Sequence, residues 1–356
     1  MSIGPARWSV GLDDHVTCVA VHPDGSVVAA GSLGGDALII DALDGQVTAK
    51  LAAHPMGVLA AAWSPDGSVL ATGGQDGVVR LSTVDGGVVA EHTLGGWVER
   101  LAWSPRGVVA AAAGRVLHLV RADGTHLHAY PPVSSTISAI HWAGNGTRVG
   151  VASYGGLTWF DTDKLPNDAP ARVHGFKGSP LALVLSPTGK WACAGYQDAS
   201  IHLWPLWSGD ELTMSGYPAK IEHLAFRHDG RWLASACLDE LTVWDFSGKG
   251  PKGTRPAAGT AHDGRITWVG WQPGRDVLAT GGQDGRLVLW PSPMSVDRPL
   301  EPIDVVDGDG EVDADDGDDG DLGSDGGEVA TAAWTPDGRG LVVGRHQGSV
   351  EFRPVA

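Results

Sequence analysis

GTAHDGRITWVGWQPGRDVLATGGQDGRLVLWP, from Gly259 to Pro291, decides the architecture of this chain because it is one copy of a repeated unit. It contains His262, an apolar run that ends at Trp271, a Pro-Gly turn and a second run that ends in Thr280. A matching stretch runs from His54 to Ser82, and the segment ATGGQDG is identical in the two. In both, the histidine precedes the threonine by eighteen residues. Repetition of this kind indicates a repeat architecture.

The unit recurs along the whole chain. A turn glycine follows the first apolar run of each unit, and these glycines are 39 to 44 residues apart except for a last interval of 64. Short apolar and β-branched runs alternate with Gly, Pro and Asp turns, without helical periodicity. Each unit is therefore predicted to be a small antiparallel sheet. The turn glycines are Gly25, Gly67, Gly107, Gly146, Gly189, Gly230, Gly274 and Gly338.

The unit resembles that of the WD-repeat β-propellers, whose period is about 40 to 45 residues with four strands in each blade. The Trp-Asp pair that names the family occurs once, at Trp244-Asp245. The resemblance covers the chain apart from one acidic stretch and implies an all-β propeller. It also implies structural tetrads in which His, Ser or Thr, Asp and Trp side chains are hydrogen-bonded within a blade. The matching positions are His54, Thr72 and Asp76; His262, Thr280, Asp284 and Trp290; and Ser235, Asp239 and Trp244, where the histidine is missing.

The last unit, Glu328 to Pro354, supplies only three strands. A missing fourth strand would leave an exposed sheet edge, which favours aggregation. The N-terminal run Ala6 to Leu12 alternates apolar and polar residues and can supply the strand, as the family's propellers imply. We therefore expect eight four-stranded blades, closed by the N-terminal strand on the last blade. Seven blades remain the alternative, because the fourth unit is the most degenerate.

Residues 1–356 are predicted to form a single domain, because radial repeats make one body. The long last interval contains an acidic stretch, Asp304 to Glu328, in which 12 of 25 residues are acidic and none is basic. Such a composition cannot offset its ordering entropy. We predict a disordered acidic loop at 304–327, inserted between blades seven and eight. The EF-hand calcium spacing fails at every register of this stretch, so no dedicated metal site is predicted there.

Composition excludes several classes of function. The formal net charge of −17 disfavours both nucleic acid and anionic membrane surfaces as partners. The N-terminus does not match a secretory signal, and no apolar run is long enough to cross a bilayer. The three cysteines are odd in number and form no C-x-x-C pair, which indicates reduced thiols. We therefore expect a cytoplasmic protein.

Catalytic motifs are absent from the sequence: there is no nucleophile elbow, phosphate-binding loop or H-E-x-x-H pair. We expect no enzyme activity, no catalytic residue and no cofactor. The family's topology implies that the connections before the first strand and after the second strand of each blade share one rim, the usual partner-binding side. We therefore expect a protein-protein interaction scaffold, a monomeric module within a complex. The rim residues are Met56, Gln75, Trp97, Arg115, Tyr154, Tyr196, Lys220, Arg265, Gln283 and His346.

A metal-ion-binding accessory protein that uses histidines and the acidic loop is the alternative function. The chain has 14 histidines, and His126 and His128 alternate on one predicted strand face. Two histidines at this spacing can ligate a metal ion, but further ligands at definite spacing cannot be named from the sequence. Exposed strand residues are the simpler interpretation of the pair.

Overall fold

The computed structural model describes residues 1–52, 54–206, 211–293, 296, 298–308 and 327–356. Its strands form eight four-stranded antiparallel sheets, which are the blades of a propeller. The first strand of each blade contacts the first strand of the next blade, and blade eight contacts blade one in the same way. The predicted all-β propeller with eight blades is confirmed, and the alternative of seven blades is wrong.

The first four blades follow one another along the chain. The first strand of the chain, β1 (Trp8–Gly11), belongs to blade eight. Blade one consists of β2 (Val16–Val21), β3 (Val27–Ser32), β4 (Ala37–Asp41) and β5 (Val47–Lys50), and blade two of β6 (Val58–Trp63), β7 (Leu70–Gly74), β8 (Val78–Ser82) and β9 (Val88–Thr93). Blade three consists of β10 (Val98–Trp103), β11 (Val108–Ala113), β12 (Val116–Arg121) and β13 (His126–Ala129), and blade four of β14 (Ala139–Trp142), β15 (Arg148–Ser153), β16 (Gly156–Asp161) and β17 (Arg172–Gly175).

The remaining blades repeat this order. A short 3-10 helix, Thr162–Lys164, lies between β16 and β17. Blade five consists of β18 (Pro180–Leu185), β19 (Trp191–Tyr196), β20 (Ile201–Pro205) and β21 (Leu212–Met214), and blade six of β22 (His223–Phe226), β23 (Trp232–Cys237), β24 (Glu240–Asp245) and β25 (Ala257–Thr260). Blade seven consists of β26 (Ile266–Trp271), β27 (Val277–Gly282), β28 (Leu287–Pro291) and β29 (Asp304–Val306), and blade eight of β30 (Val329–Trp334), β31 (Gly340–Arg345), β32 (Ser349–Pro354) and β1.

The second strand of each blade is covered on both faces by neighbouring blades, which explains its sequence. Strands β3, β19, β23, β27 and β31 are buried along their whole length. They are rich in Ala and Gly because the next blade approaches closely. A Cβ atom on Gly31 would lie 2.6 Å from Val58, and one on Gly281 would lie 2.5 Å from Val329. The small residues therefore set the spacing between blades.

Tryptophans at the ends of first strands fasten neighbouring blades together. The indole N–H of Trp63 donates to the carbonyl of Ala20 in the preceding blade, with Nε1 and O 3.1 Å apart. The ring thus packs between two blades while its N–H group bonds to the main chain of the preceding one. The same bond joins Trp103 to Ala62, Trp142 to Ala102, Trp271 to Ala225 and Trp334 to Gly270.

Ring closure uses the N-terminal strand, as the sequence predicts. β1 pairs antiparallel with β32, and Trp8 lies opposite Phe352 while Gly11 lies opposite Ser349. The Trp8 and Phe352 rings stack with their centroids 6.0 Å apart. The Trp8 indole also donates to Ala42 O of blade one, at 3.0 Å. The closing strand therefore ties the last blade to the first.

Blade seven carries a continuous chain of hydrogen bonds at the expected tetrad positions. Trp290 Nε1 lies 2.9 Å from Thr280 Oγ1, and Thr280 Oγ1 lies 2.8 Å from His262 Nε2. His262 Nδ1 lies 3.1 Å from Asp284 Oδ1. A carboxylate accepts only, so Nδ1 carries the proton and Nε2 accepts from the threonine hydroxyl. Burial lowers the pKa of His262, with Asp284 acting in the opposite direction, so this imidazole is neutral at pH 7.

Blade two has the same arrangement without the tryptophan. His54 is fully buried, with Nε2 2.9 Å from Thr72 Oγ1 and Nδ1 3.0 Å from Asp76 Oδ1. Ser82, at the position of the missing tryptophan, is also buried. Burial lowers the pKa of His54 as well. The shared geometry explains why the ATGGQDG segment is identical in the two blades.

Tyr217 completes the blade-six arrangement, which sequence reasoning took to lack its fourth member. The Tyr217 hydroxyl accepts from Trp244 Nε1 at 2.7 Å and lies 3.0 Å from Ser235 Oγ. Ser235 Oγ is 2.6 Å from Thr242 Oγ1, while Asp239 is exposed in the adjoining turn. Tyr217 precedes Ser235 by eighteen residues, the spacing of His54 from Thr72. That spacing was the signal that could have identified Tyr217.

The predicted acidic loop does not begin at residue 304. Asp304–Val306 is not loop but β29, the outer strand of blade seven, and Val305 lies opposite Val288. Asp304 Oδ2 also accepts the main-chain N–H of Ile3, at 2.7 Å. Main-chain pairing and two β-branched residues outweigh the acidic character here. Most of the predicted loop, residues 309–326, lies outside the described residues.

Within the described part of the chain, no helix is long and apolar enough to cross a membrane. Cys18, Cys193 and Cys237 are free thiols. Burial raises the pKa of Cys18 to about 11, so its reactive thiolate form is disfavoured.

The substitution Trp63→Phe tests the bond between blades. It keeps an aromatic ring but leaves the Ala20 carbonyl without its donor, so we expect a loss of about 1–3 kcal/mol in the free energy of unfolding, measured by urea denaturation. The control Trp97→Phe changes an exposed tryptophan and is expected to alter stability by less than about 0.5 kcal/mol. Equal effects of the two substitutions would contradict this role for Trp63.

The substitution Tyr217→Phe tests the blade-six arrangement. It removes the hydroxyl that accepts from Trp244 and contacts Ser235, and we expect a destabilisation of about 1–3 kcal/mol because the buried indole N–H loses its acceptor. The matched control is Tyr154→Phe, at an exposed tyrosine. A stability loss that is no larger for Tyr217→Phe than for this control would show that the hydroxyl is dispensable.

Candidate functional site

Two kinds of connection meet on one face of the propeller. The turn after the second strand of each blade is hydrogen-bonded to the connection that enters the first strand of a blade. Gln75 N donates to Gly57 O at 3.0 Å, and Gln283 N donates to Arg265 O at 2.8 Å. We call the surface formed by these connections the rim. Its loops are paired along the main chain rather than free.

The tetrads hold the rim turns in place. Asp284 Oδ1 accepts Arg286 N at 3.1 Å, and Asp284 Oδ2 accepts Asp263 N at 2.8 Å, so one carboxylate orders both connections of blade seven. Asp76 accepts Val78 N at 3.1 Å in the same manner. The aspartates therefore link the buried histidines to the conformation of the surface.

Most of the rim residues inferred from the sequence are accessible. Met56, Trp97 and Tyr154 are 59%, 51% and 46% exposed. The structure thus leaves two aromatic side chains and one methionine open to solvent on this face. Arg115, Arg265, Gln283 and His346 are also exposed, whereas Gln75 and Lys220 are half-buried.

Tyr196 was predicted to be a rim residue, and this prediction is wrong. Its side chain is fully buried and packs edge-on against Phe176, with ring centroids 5.3 Å apart, and against His202 at 4.5 Å. Tyr196 occupies the end of β19, where β7 has Gly74, and its ring turns into the blade. Burial raises the pKa of its phenol. Tyr196 therefore cannot contact a partner on the rim.

Leu33 and Leu238 are rim residues that sequence reasoning missed. Both are exposed, and both lie in turns after second strands. Leu33 neighbours the Met56 connection, since a Cβ atom on Gly57 would lie 3.3 Å from Leu33 Cδ1. The sequence did contain a signal: each leucine stands at the turn position that Gln75 and Gln283 occupy in other blades.

Charged side chains dominate the rim at blades six and seven. Glu222 pairs with Lys220 at 2.9 Å and with Arg265 at 3.2 Å. Arg286 pairs with Asp263 at 2.6 Å and with Asp307 at 2.8 Å. Exposed apolar side chains are instead found mainly at blades one to four. The rim therefore has an apolar sector and an ion-paired sector.

His126 and His128 are separated by the packing of blade three. His126 Nε2 lies 3.2 Å from His118 Nδ1, whereas His128 Nε2 lies 2.9 Å from Asp168 Oδ1. A register shift between β12 and β13 places the two histidines against different neighbours. Burial, together with smaller contributions from His126 and His92, lowers the pKa of His118 to about 4. Among the described residues, no group of three or more His, Cys, Asp or Glu side chains is arranged to hold a metal ion.

Blade five contains a Ser-His-Glu contact that superficially resembles a catalytic arrangement. Ser200 Oγ lies 2.9 Å from His202 Nε2, and His202 Nδ1 contacts Glu211. Ser200 is buried, however, and its hydroxyl donates to Asp198 at 2.5 Å. Its proton is already committed to a carboxylate. The cluster therefore fits a structural role like that of the tetrads.

A family model agrees with the architecture. The model described as "WD domain, G-beta repeat" matches four segments, residues 9–41, 45–81, 171–205 and 255–291. These segments include the units around His54 and His262 but not the unit that ends at Trp244-Asp245. The other units are not matched by the model, although, apart from the last, their turn glycines keep the period of the repeat.

Curated proteins with similar sequence include a protein named for its WD repeats. WD repeat-containing protein slp1 of Schizosaccharomyces pombe is 26% identical over 54% of this chain and 40% of its own length. A 66 kDa stress protein of Physarum polycephalum is 27% identical, and the match covers 21% of the length of that protein. The chain thus spans well under half the length of these two curated relatives.

Solved structures match over the whole chain. The C-terminal WD40 domain of Sif2 superposes with a TM-score of 0.81 at 15% identity, covering 100% of this chain and 99% of that one. Sqt1 of Chaetomium thermophilum, in a structure with the N-terminus of ribosomal protein L10, superposes with a TM-score of 0.78 at 18% identity. The match covers 100% of this chain and 99% of that one. At these identities the likeness concerns the fold. With its four matched repeats and eight closed blades, the chain is a WD-repeat β-propeller.

Proposed function

We propose that this propeller is a non-catalytic scaffold that binds partner proteins on its rim. The observation that carries the proposal is the placement of exposed aromatic side chains. Among the described residues, the exposed large aromatics are Trp97 and Tyr154, and both lie on the rim. Met56, also on the rim, is among the most exposed apolar side chains. Trp, Tyr and Met are enriched in protein interfaces, and Trp and Tyr often provide most of the binding energy.

The other exposed apolar residues of the described chain support this choice of face. Those on the opposite face, such as Leu43 and Val84, and those on outer strands, such as Val88 and Val173, include no aromatic residue. Isolated aliphatic residues on a surface are common and need no function. Leu33 and Leu238 add to the apolar area of the rim instead. The rim is thus the face on which a partner would bury the most aromatic surface.

A similar propeller supplies a precedent for the kind of partner. The solved structure of Sqt1 contains the N-terminus of ribosomal protein L10, so a protein of similar shape binds a protein segment. For this chain we infer protein partners in the cytoplasm, with residues 1–356 acting as one domain and as a monomeric module of a complex. The charged sector at Glu222 and Arg265 would then orient a partner that the apolar sector holds.

The acidic segment gives the scaffold a charge that favours basic partners. Residues 309–326 contain nine acidic and no basic residues, so they account for much of the net charge of −17. The segment follows β29 in the sequence, and Asp307, two residues before it, pairs with Arg286 on the rim side of blade seven. Negative charge near a binding face accelerates encounter with a basic partner, and salt weakens this effect.

The double variant Met56→Ala, Trp97→Ala tests the rim. Partners are identified by affinity purification with mass spectrometry, and the affinity of the main partner is then measured with purified proteins. Because truncation of an interface anchor costs about 2 kcal/mol, we expect the affinity to fall at least about thirtyfold. The matched control, Leu43→Ala with Val84→Ala on the opposite face, is expected to bind like the wild type. Loss of binding only in the control would place the partner on the other face.

Deletion of residues 309–326 tests the role of the acidic segment. The deletion changes the formal net charge from −17 to −8. For a basic partner we expect association to slow by about tenfold at low ionic strength, with a smaller difference at high salt. Dissociation is expected to change little, because the rim contacts remain. Equal association rates at low salt would remove the acidic segment from the mechanism.

A further inference from the structure

A basic loop lies on the face of blade six that is turned away from the rim. It is the connection between β24 and β25, residues 246–256, and it contains no acidic residue. The strand β24 begins beside the rim turn that holds Leu238, so the connection that follows it lies at the opposite end of the blade. The cations of the basic loop are exposed and follow one another at intervals of three residues: Lys249, Lys252 and Arg255.

The cations of the basic loop have no carboxylate partners. Within the part of the chain that the structure describes, no ion pair involves any of the three. Asp245, which directly precedes the loop, pairs instead with Arg231 at 3.2 Å. Lys190 of blade five adds a fourth cation, because its Nζ donates to Gly248 O of the loop at 2.7 Å. In a chain with a net charge of −17, this is a local concentration of unpaired positive charge.

Hydrogen bonds and packing hold the main chain of the basic loop in place. Gly250 N donates to Ser247 O at 3.1 Å, and Thr254 N donates to Pro251 O at 3.0 Å. Pro251 is buried, and the loop lies so close to blade five that a Cβ atom on Gly250 would be 2.5 Å from the Trp191 ring. The cations therefore extend from an ordered base, and a partner would lose little loop entropy on binding.

A groove lies beside the basic loop, between blades five and six. Its volume is about 330 Å³, and it is lined by β21 on one side and by residues 251–254 of the loop on the other. Leu212 and Met214 of β21 and Trp244 of β24 give it apolar surface, while Lys252 adds a charged group. The site therefore combines an apolar hollow with several cations.

We propose that the basic loop and this groove bind an acidic segment of a partner protein, one with an apolar side chain among its carboxylates. The unpaired cations attract the carboxylates, and the groove removes the apolar side chain from water. Glu211, which precedes β21, contacts His202, so its charge is already engaged within blade five. The site is a second interaction surface on the face away from the rim, and it goes beyond the scaffold function proposed for the rim.

The charge of the whole chain favours a peptide over a nucleic acid at this site. A nucleic acid has a phosphate at every nucleotide, and its affinity depends on how many cations contact those phosphates. The basic loop offers three cations and Lys190 a fourth, in a chain with a net charge of −17. A short acidic segment contacts only this patch, whereas a longer polyanion would meet the acidic remainder of the surface.

Fluorescence anisotropy with the labelled peptide DEDLDED tests the site on the full chain. We expect saturable binding at low ionic strength that weakens as salt is added, because exposed charges are screened. The double variant Lys249→Glu, Lys252→Glu is expected to bind at least about tenfold more weakly, since two attractions become repulsions. Both side chains are exposed, so circular dichroism is expected to show an unchanged fold.

A matched charge control separates the site from the net charge of the chain. The double variant Lys164→Glu, Arg339→Glu changes the net charge equally, and its two side chains are 66% and 81% exposed on blades four and eight. We expect it to alter the affinity for the peptide by less than about twofold, because charges beyond a Debye length are largely screened. The rim variant Met56→Ala, Trp97→Ala is expected to bind the peptide like the wild type, which keeps this test independent of the rim.

Two further probes test the chemistry of the occupant. The peptide DEDSDED, which lacks the leucine, is expected to bind severalfold more weakly than DEDLDED because nothing apolar enters the groove. A single-stranded RNA heptamer is expected to bind more weakly than DEDLDED; tighter binding of the RNA would replace the peptide as the ligand class. The proposal is overturned if the wild type shows no saturable binding of DEDLDED, or if Lys249→Glu, Lys252→Glu reduces the affinity no more than the charge control does.

Discussion

The contact between neighbouring blades is the constraint on which this structure depends. A four-stranded sheet with two apolar faces cannot bury them alone, so each blade requires a neighbour on both sides. Two features set that contact: small residues of the second strand, such as Gly31 against Val58, and the indole bond from Trp63 to Ala20 O. Repeated around the ring, they leave no free face. The pairing of β1 with β32 then supplies the fourth strand of the last blade and closes the ring.

A rigid ring leaves biological specificity to its surface loops. In blade seven, Asp284 connects the buried His262 to the main chain of both rim connections. The loops are therefore ordered by the blade interior, and side chains such as Trp97 are presented from a fixed base. A partner would lose little loop entropy on binding, which favours affinity. This separation of framework and contact surface explains why one fold can serve many partners.

The tetrads show that a role can be kept while its residues change. Blade seven uses a neutral histidine between a threonine and an aspartate, whereas blade six uses the Tyr217 hydroxyl between Trp244 and Ser235. Both arrangements provide hydrogen-bond partners for a buried serine or threonine hydroxyl and for the indole N–H group of a tryptophan. Blade five reaches a comparable result with His202, which contacts Ser200 and Glu211. What these three blades share is a buried hydroxyl with a hydrogen-bond partner inside the sheet, since an unpaired group there is costly.

The sequence by itself determined the period and the all-β class, predicted closure by the first strand, and favoured eight blades over seven. These follow from local turn chemistry and from spacing along the chain, which one copy such as Gly259–Pro291 already contains. Only the tertiary structure decided that Tyr196 is buried, because the direction of its ring depends on Phe176, which follows β17, and on His202 of β20. It also decided that His92 meets His126 across two blades, and that Asp304 pairs in a sheet. Repetition predicts where strands fall, but contacts between side chains distant in sequence are set by packing around the ring.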